Sequence, residues 1–373
     1  MNRSRQLTSF RVAATKDIPP FQPVDHATLV PQSKLERQSG LVASRYQCTI
    51  KRCDHGYRYF SAMRPIVLLF AALLGSVLSV AIRRERLDLG GYDDGFARYK
   101  MFFFASAAYA TDANQCMKSA YPQDAANNTV NDIIEVVCAR TDSCRGFSAI
   151  SHDDRAIIIS FRGTTQFLQI IQEAAETVFG AEKFIGGGYV SHYFYEAFKS
   201  VWKGGLKNEV LDLIKQYPDY EVWVTGHSLG GAMASLCSAT LIYLGQVSPD
   251  KVRLLTFGQP RVGDQAYADA HDALLLYSYR VVHNRDLVPH VPPEILPDNG
   301  LLDGYRHHKS EVWYDNKMRV DDSYHICNAD EGNKCSDGDL ITMSIMDHGH
   351  YFEDHEWITN FGDDGCPIQM VNK

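Results

Sequence analysis

The stretch EVWVTGHSLGGAMASLCSATLIYL, Glu221 to Leu244, sets one hydroxyl, Ser228, between Gly226 and Gly230. Val222–Val224 before it is apolar, β-branched and aromatic; Ala232–Leu244 after it opens with small residues and continues with strong helix formers. The pattern predicts a strand that turns abruptly into a helix. Positions without side chains on both flanks let neighbouring backbone pack against such a turn, a need that a solvated loop does not have. G-x-S-x-G by itself recurs by chance, so its setting carries the weight. In that setting the serine reads as a nucleophile held at the end of a strand.

Working outward, the chain alternates strands with helices. Phe96–Ala110 reads as a first helix. GFSAISHDDRAIIISFRGTT (Gly146–Thr165) reads as a hairpin turned at His152–Arg155, its second run, Ala156–Phe161, apolar enough for a central strand. In Gln166–Phe179 the apolar residues Phe167, Ile170, Ile171, Ala174 and Val178 share one helical face. YFYEAFKSVWKGGLKNEVLDLIKQY is helical, and Arg253–Phe257 and Tyr279–His283 are strands followed by Gly- or Pro-bearing loops. This alternation implies an α/β sheet with chemistry at the strand ends.

A serine hydroxyl is a poor nucleophile at neutral pH. It needs an imidazole to take its proton and a carboxylate to fix that imidazole's tautomer. The best-placed acid is Asp286 in YRVVHNRDLVPHVPP, just beyond a β-branched strand and before a Pro-rich turn. Asp264 in FGQPRVGD competes, and reads as a solvated loop acid. MDHGHYFEDHEW offers three histidines, His348, His350 and His355. A metal reading of His348-x-His350 with Asp347 and Asp354 is set aside, since spacing on an irregular segment specifies no tetrahedral geometry. No metal and no cofactor is called for.

The 373 residues carry 37 Lys/Arg against 45 Asp/Glu and are 45% hydrophobic, enough for one large domain with a substantial core. Charge is divided unevenly: residues 1–64 are net +7 and the remainder net −15. The acidic body argues against nucleic acid as a partner. MRPIVLLFAALLGSVLSVA (Met63–Ala81) has the basic, apolar and small-residue regions of a secretory signal peptide, with cleavage after Ala81. The rival is a membrane anchor, because Pro65–Ile82 is 18 uncharged residues flanked by arginines on both sides. Residues 1–62 form a basic extension without visible chemistry, and 82–373 the folded domain.

Six cysteines of that domain, Cys116, Cys138, Cys144, Cys327, Cys335 and Cys366, read as three disulfides with fifteen possible pairings, while Cys237 reads as a buried apolar residue on the helix after Ser228. Asn127-Asn128-Thr129 is a glycosylation sequon. All three signals point to an oxidising, extracellular compartment.

VTGHSLGGAMASL, FRGTT, TFGQPRVGD, RVVHNRDLVPHVPP, YRHHKSEVWY and DHGHYF follow in the order seen in the fungal-type (class 3) lipase family of the α/β-hydrolase superfamily. The chain resembles that family from about Phe96 to Cys366. The resemblance implies a central, mostly parallel sheet with helices on both faces and Ser228 on a nucleophile elbow. It implies Asp286 as acid and His348, first residue of an H-x-x-Y-F segment, as base. It implies an oxyanion hole from Leu229 and Thr164, the latter a position where family members often have Ser. It selects the pairs Cys116–Cys366, Cys138–Cys144 and Cys327–Cys335. It also makes Phe167–Phe179 a candidate lid, although that segment lacks a tryptophan, and His227, His307 and His308 are left as structural hydrogen-bonding residues. The implied activity is a secreted serine carboxylester hydrolase acting on acyl glycerols, with phospholipase A1 or another esterase as the alternative. A catalytically silent lipid-binding protein is the reading from a different class. The implied partners are a lipid ester and, transiently, a lipid interface, with no obligate protein partner.

Overall fold

In the computed structural model the described residues are 90–139, 142–164, 180–294, 304–332, 334–338, 344–352 and 357–367. The basic extension, the segment Met63–Ala81 and the lid candidates Phe167, Ile170, Ile171, Ala174 and Val178 lie outside them. Among the described residues no helix is long and apolar enough to cross a membrane.

The strands are β1 (Asn128–Ala139), β2 (Asp142–Ser151), β3 (Ala156–Phe161), β4 (Ala181–Lys183), β5 (Tyr189–Ser191), β6 (Glu221–His227), β7 (Val252–Phe257), β8 (Ser278–His283), β9 (Glu311–Tyr314) and β10 (His325–Cys327). Eight of them form one sheet in the order β1-β2-β3-β6-β7-β8-β9-β10, and β4 pairs with β5 separately. The centre from β3 to β9 is parallel, with antiparallel partners at both margins. The principal helices are α1 (Phe102–Ala107), α2 (Ala113–Ala120), α3 (His192–Val201), α4 (Lys207–Gln216), α5 (Leu229–Tyr243), α6 (Gln265–Leu274), α7 (Ile345–Gly349) and α8 (Ile358–Asp363).

A sheet buried on both faces calls for unbroken apolar strands, and β3 is buried along its whole length. Its side chains alternate between two cores. Ile157, Ile159 and Phe161 join the core built with α3, α4 and α5, whereas Ile158 joins Trp223, Leu255 and the phenylalanines of α1 on the opposite face. Helix α5 is buried on nearly every side, which explains its run of Ala, Ser and Gly: small residues let it lie close to the sheet.

The hairpin expected over Gly146–Thr165 is β2 paired with β3, turned at His152–Arg155. Strand β1 was not foreseen. It pairs with β2 through two register shifts, at Val130/Asp132 and Val137/Ala139, and those bulges break the alternation by which a strand is recognised. The helical region after Tyr193 is interrupted by a π-turn at Trp202–Leu206, where Gly205 takes φ 150°.

All three disulfides have the expected pairing, Cys116–Cys366, Cys138–Cys144 and Cys327–Cys335, and Cys237 is a buried free thiol in α5. The first joins α2 to the chain beyond α8 across 250 residues of sequence, while Cys138–Cys144 spans only 6. On a chain-entropy account the long closure stabilises by on the order of 5 kcal/mol and the short one by about 2. Denaturant unfolding of C116A/C366A should therefore show a larger loss of stability than that of C138A/C144A. Equal losses would contradict the loop-closure account.

Candidate active site

Strand β6 runs out at His227, and the next residue, Ser228, takes φ 60° and ψ −129° before α5 begins at Leu229. A non-glycine residue held there costs on the order of 1–3 kcal/mol, which the surrounding packing must offset. The Ser228 N–H donates to the Phe257 carbonyl at 2.9 Å, tying the turn to β7. A Cβ on Gly230 would lie 2.1 Å from the Phe161 carbonyl oxygen, and one on Gly226 would lie 2.3 Å from Gly230 backbone. Both glycines are thus required by close approach. The Ser228 hydroxyl is buried, with no hydrogen-bond partner among the described residues.

Asp286 follows β8 in a turn closed by its own N–H on the His283 carbonyl, 2.9 Å. Its carboxylate is completely buried yet fully used. Oδ1 accepts the Val288 N–H at 2.9 Å; Oδ2 accepts His348 Nδ1–H at 2.9 Å and the Tyr351 hydroxyl at 2.7 Å. Burial alone raises a carboxyl pKa. Here the His348 charge and these hydrogen bonds outweigh it and hold Asp286 below the usual carboxylate range. With Nδ1 donating to Asp286, neutral His348 keeps its lone pair on Nε2, the nitrogen that can receive a proton from a hydroxyl.

The acid loop and the base segment are stitched together. Asp286 bridges Ser344 as in a parallel ladder, and the Ser344 N–H donates to the Arg285 carbonyl at 2.9 Å. Ser344 also caps α7, which carries His348, through a 3.0 Å bond from the Asp347 N–H. Asp347 turns back to accept Asn284 Nδ2 (3.0 Å) and the Arg285 N–H (3.1 Å). It serves as a clamp on the acid loop.

His227 lies behind His348, their ring centroids 4.4 Å apart. Its Nε2–H donates to the His348 carbonyl at 2.7 Å and its Nδ1 accepts the Tyr109 hydroxyl at 2.9 Å. Burial, reinforced by the neighbouring imidazole, pushes it down to about 3, so His227 stays neutral in this chain of bonds. Gly163 abuts the same corner: a Cβ there would meet the Tyr109 hydroxyl at 2.3 Å and Ser228 Cβ at 3.0 Å. Thr164, the next residue, is half-buried, and Leu229 supplies one of the first N–H groups of α5.

One sequence reading changes, and one position was missed. Asp264 is no solvated loop acid: it caps α6, accepting the Tyr267 N–H at 2.8 Å and the Tyr189 N–H at 3.0 Å. His350, passed over for the base, donates to the Met346 carbonyl at 3.0 Å with its ring edge-on to Trp357. Gly258 was overlooked. At φ 54° it lies against the acid–base pair, where a Cβ would meet Asp286 Oδ2 at 2.8 Å and His348 Nδ1 at 2.9 Å. Its only sequence signal was one glycine directly after a strand. Asn127 is exposed and its amide donates to Asp124 at 2.7 Å; His355 and Asp354 lie outside the described residues.

Residues 158–296 match the family described as Lipase (class 3). A Caenorhabditis elegans protein named Lipase ZK262.3 is 32% identical over 306 residues, 76% of this chain and 85% of that one. A Rhizomucor miehei lipase is 34% identical over 203 residues, and this chain spans 52% of its length. Among solved structures, a lipase from Rhizopus microsporus var. chinensis aligns with a TM-score of 0.60 at 29% identity, covering 72% of this chain and 91% of its own. The Rhizomucor miehei triacylglyceride lipase aligns at 0.59 with 26% identity, covering 72% and 98%.

The geometry separates the two neighbouring histidines by experiment. His348→Ala should lower ester hydrolysis by several orders of magnitude, whereas His350→Ala should cost about tenfold or less, the scale of a positioning effect. Steady-state kinetics on one ester decide the matter, and the reverse ranking would move the base to His350.

Proposed function

Since the chain belongs to the class 3 lipase family and is a serine hydrolase of carboxylic esters, we propose that it is a secreted triacylglycerol lipase working through an acyl-enzyme on Ser228. The observations that support the reading are the buried His348–Asp286 pair and a serine held at positive φ directly after β6. Ser228 Oγ attacks the ester carbonyl carbon while its proton passes to His348 Nε2. Asp286 remains ionised and stabilises the resulting imidazolium. In this reading the tetrahedral oxyanion receives the Leu229 N–H and the Thr164 N–H, the donors that the family resemblance implies. His348 then gives its proton to the departing alkoxide, leaving an acyl-serine. A water molecule, deprotonated by the same imidazole, repeats the sequence and releases the fatty acid.

The glycerolipid substrate is supported by the fungal relatives, one of which is described as a triacylglyceride lipase. Secretion is supported by Met63–Ala81, by three disulfides, and by the exposed sequon at Asn127.

Expression in a eukaryotic host tests the proposal. The protein should accumulate in the medium with its N-terminus near Ile82 and hydrolyse triacylglycerol faster than phospholipid. Ser228→Ala should lower kcat by on the order of 10⁶ without changing thermal stability appreciably. Faster phospholipid cleavage would replace the substrate reading, and retention of a tenth of the wild-type rate by Ser228→Ala would remove the mechanism.

A further inference from the structure

The chain leaving Asp286 is gripped by groups that take no part in the steps above. Val288–His290 form one 3₁₀ turn, closed by the His290 N–H on the Leu287 carbonyl (3.1 Å) and the Val291 N–H on the Val288 carbonyl (3.1 Å). The Val288 N–H, which Asp286 Oδ1 accepts, belongs to this turn and moves with it. Three backbone carbonyls of the turn and its exit are each taken by a donor from elsewhere in the fold. Pro289 accepts His307 Nε2–H at 2.7 Å, Val291 accepts the Arg261 N–H at 2.9 Å, and Pro292 accepts Arg261 Nη1–H at 3.3 Å.

Arg261 lies in the loop after β7, its side chain only 4% exposed. Its guanidinium is held as a fork. Nε and Nη2 each donate to one oxygen of Glu331 at 2.9 Å, and Nη2 also donates to Asp337 at 3.0 Å. The same carboxylates reach the acid loop by a second route. Glu331 accepts the His307 N–H at 2.8 Å, and Asp337 accepts His290 Nδ1–H at 3.1 Å. Glu331 stands in the loop that Cys327–Cys335 closes, and Asp337 comes two residues after that disulfide.

We propose that Arg261, gripped by Glu331, is a positioning residue: it fixes the exit of the acid loop and, through the Val288 N–H, the Asp286 carboxylate against His348. The inference rests on the reaction proposed above, in which Asp286 orients the base. A buried ion pair is poor evidence for stability, because the cost of taking two charges out of water offsets much of their attraction. What an apolar side chain of the same volume lacks is direction. A planar guanidinium bound at two points by one carboxylate presents its remaining N–H groups in a fixed plane, and the Pro292 carbonyl lies in reach of one of them. Lysine keeps the charge and loses the fork. The catalytic acid needs that precision, since a misplacement of about 1 Å costs on the order of 100-fold in rate.

The test combines kinetics on p-nitrophenyl butyrate with proton NMR of the purified protein, well below the melting temperature of each variant. R261M and E331Q should each lower kcat by about 10- to 100-fold with KM within about twofold, and R261K should fall between R261M and the wild type. The double variant R261M/E331Q should be no slower than R261M, because the two residues act as a unit. The downfield resonance of His348 Nδ1–H, identified by its loss in H348A, should shift or broaden in R261M and E331Q. Should R261M fail to fold, R261K and E331Q carry the same comparison. A pair that only stabilises the fold would lower the melting temperature and leave kcat and the resonance as in the wild type, and that result would overturn the inference. With H348A inactive, such a result leaves the proposed reaction standing; an active H348A would remove the reaction itself, and this inference with it.

Discussion

The hydrogen bond from His348 to Asp286 joins a short helix to a loop 62 residues away, with the carboxylate completely buried and the imidazole only 7% exposed. An ionised carboxylate in such a position is tolerable only when its lone pairs are all used. Three donors from three directions meet that requirement: an imidazole, a phenol and a backbone N–H. The consequence spreads outward. Tyr351 must come after His348 at a fixed interval, the Asp286–Val288 turn must be closed, and Gly258 must leave room for both groups. The bridge at Ser344 and the Asp347 clamp then hold the two segments so that the bond forms without further reorganisation.

Strain at Ser228 is the complementary constraint. A serine at φ 60° persists because the parallel centre of the sheet fixes the chain on its N-terminal side and buried α5 fixes the chain on its C-terminal side. Its N–H is anchored on β7, while Gly226 and Gly230 admit the neighbouring backbone. The hydroxyl is therefore held between a buried strand and a buried helix, and its position rests on the core. His227 extends this rigidity, linking the Tyr109 hydroxyl beyond the end of α1 to the carbonyl of His348.

How much of the fold and site was legible in the sequence depends on how local each determinant is. The elbow at Ser228 is written in a few consecutive residues, and β3 and β6 announce themselves as unbroken apolar runs. The pairing of six cysteines and the choice of His348 came from resemblance, because neither spacing nor composition separates His348 from His350. Determinants set by distant contacts stayed hidden. The bulges of β1 appear only against β2, and the need for glycine at 258 appears only once Asp286 and His348 are in place. Asp264 looked like a loop acid because helix caps are settled by backbone direction. The grip of Glu331 on Arg261 was invisible for the same reason, as nothing near either residue in sequence reveals that they meet.

The proposed mechanism stands on Ser228 as its one activated hydroxyl, and covalent trapping tests that most directly. The purified enzyme is inactivated with a fluorophosphonate, and its tryptic peptides are mapped by mass spectrometry. A single adduct on the peptide containing Ser228, in step with loss of hydrolysis, is the predicted result. An adduct on any other serine, or full hydrolysis by protein labelled at Ser228, would contradict it.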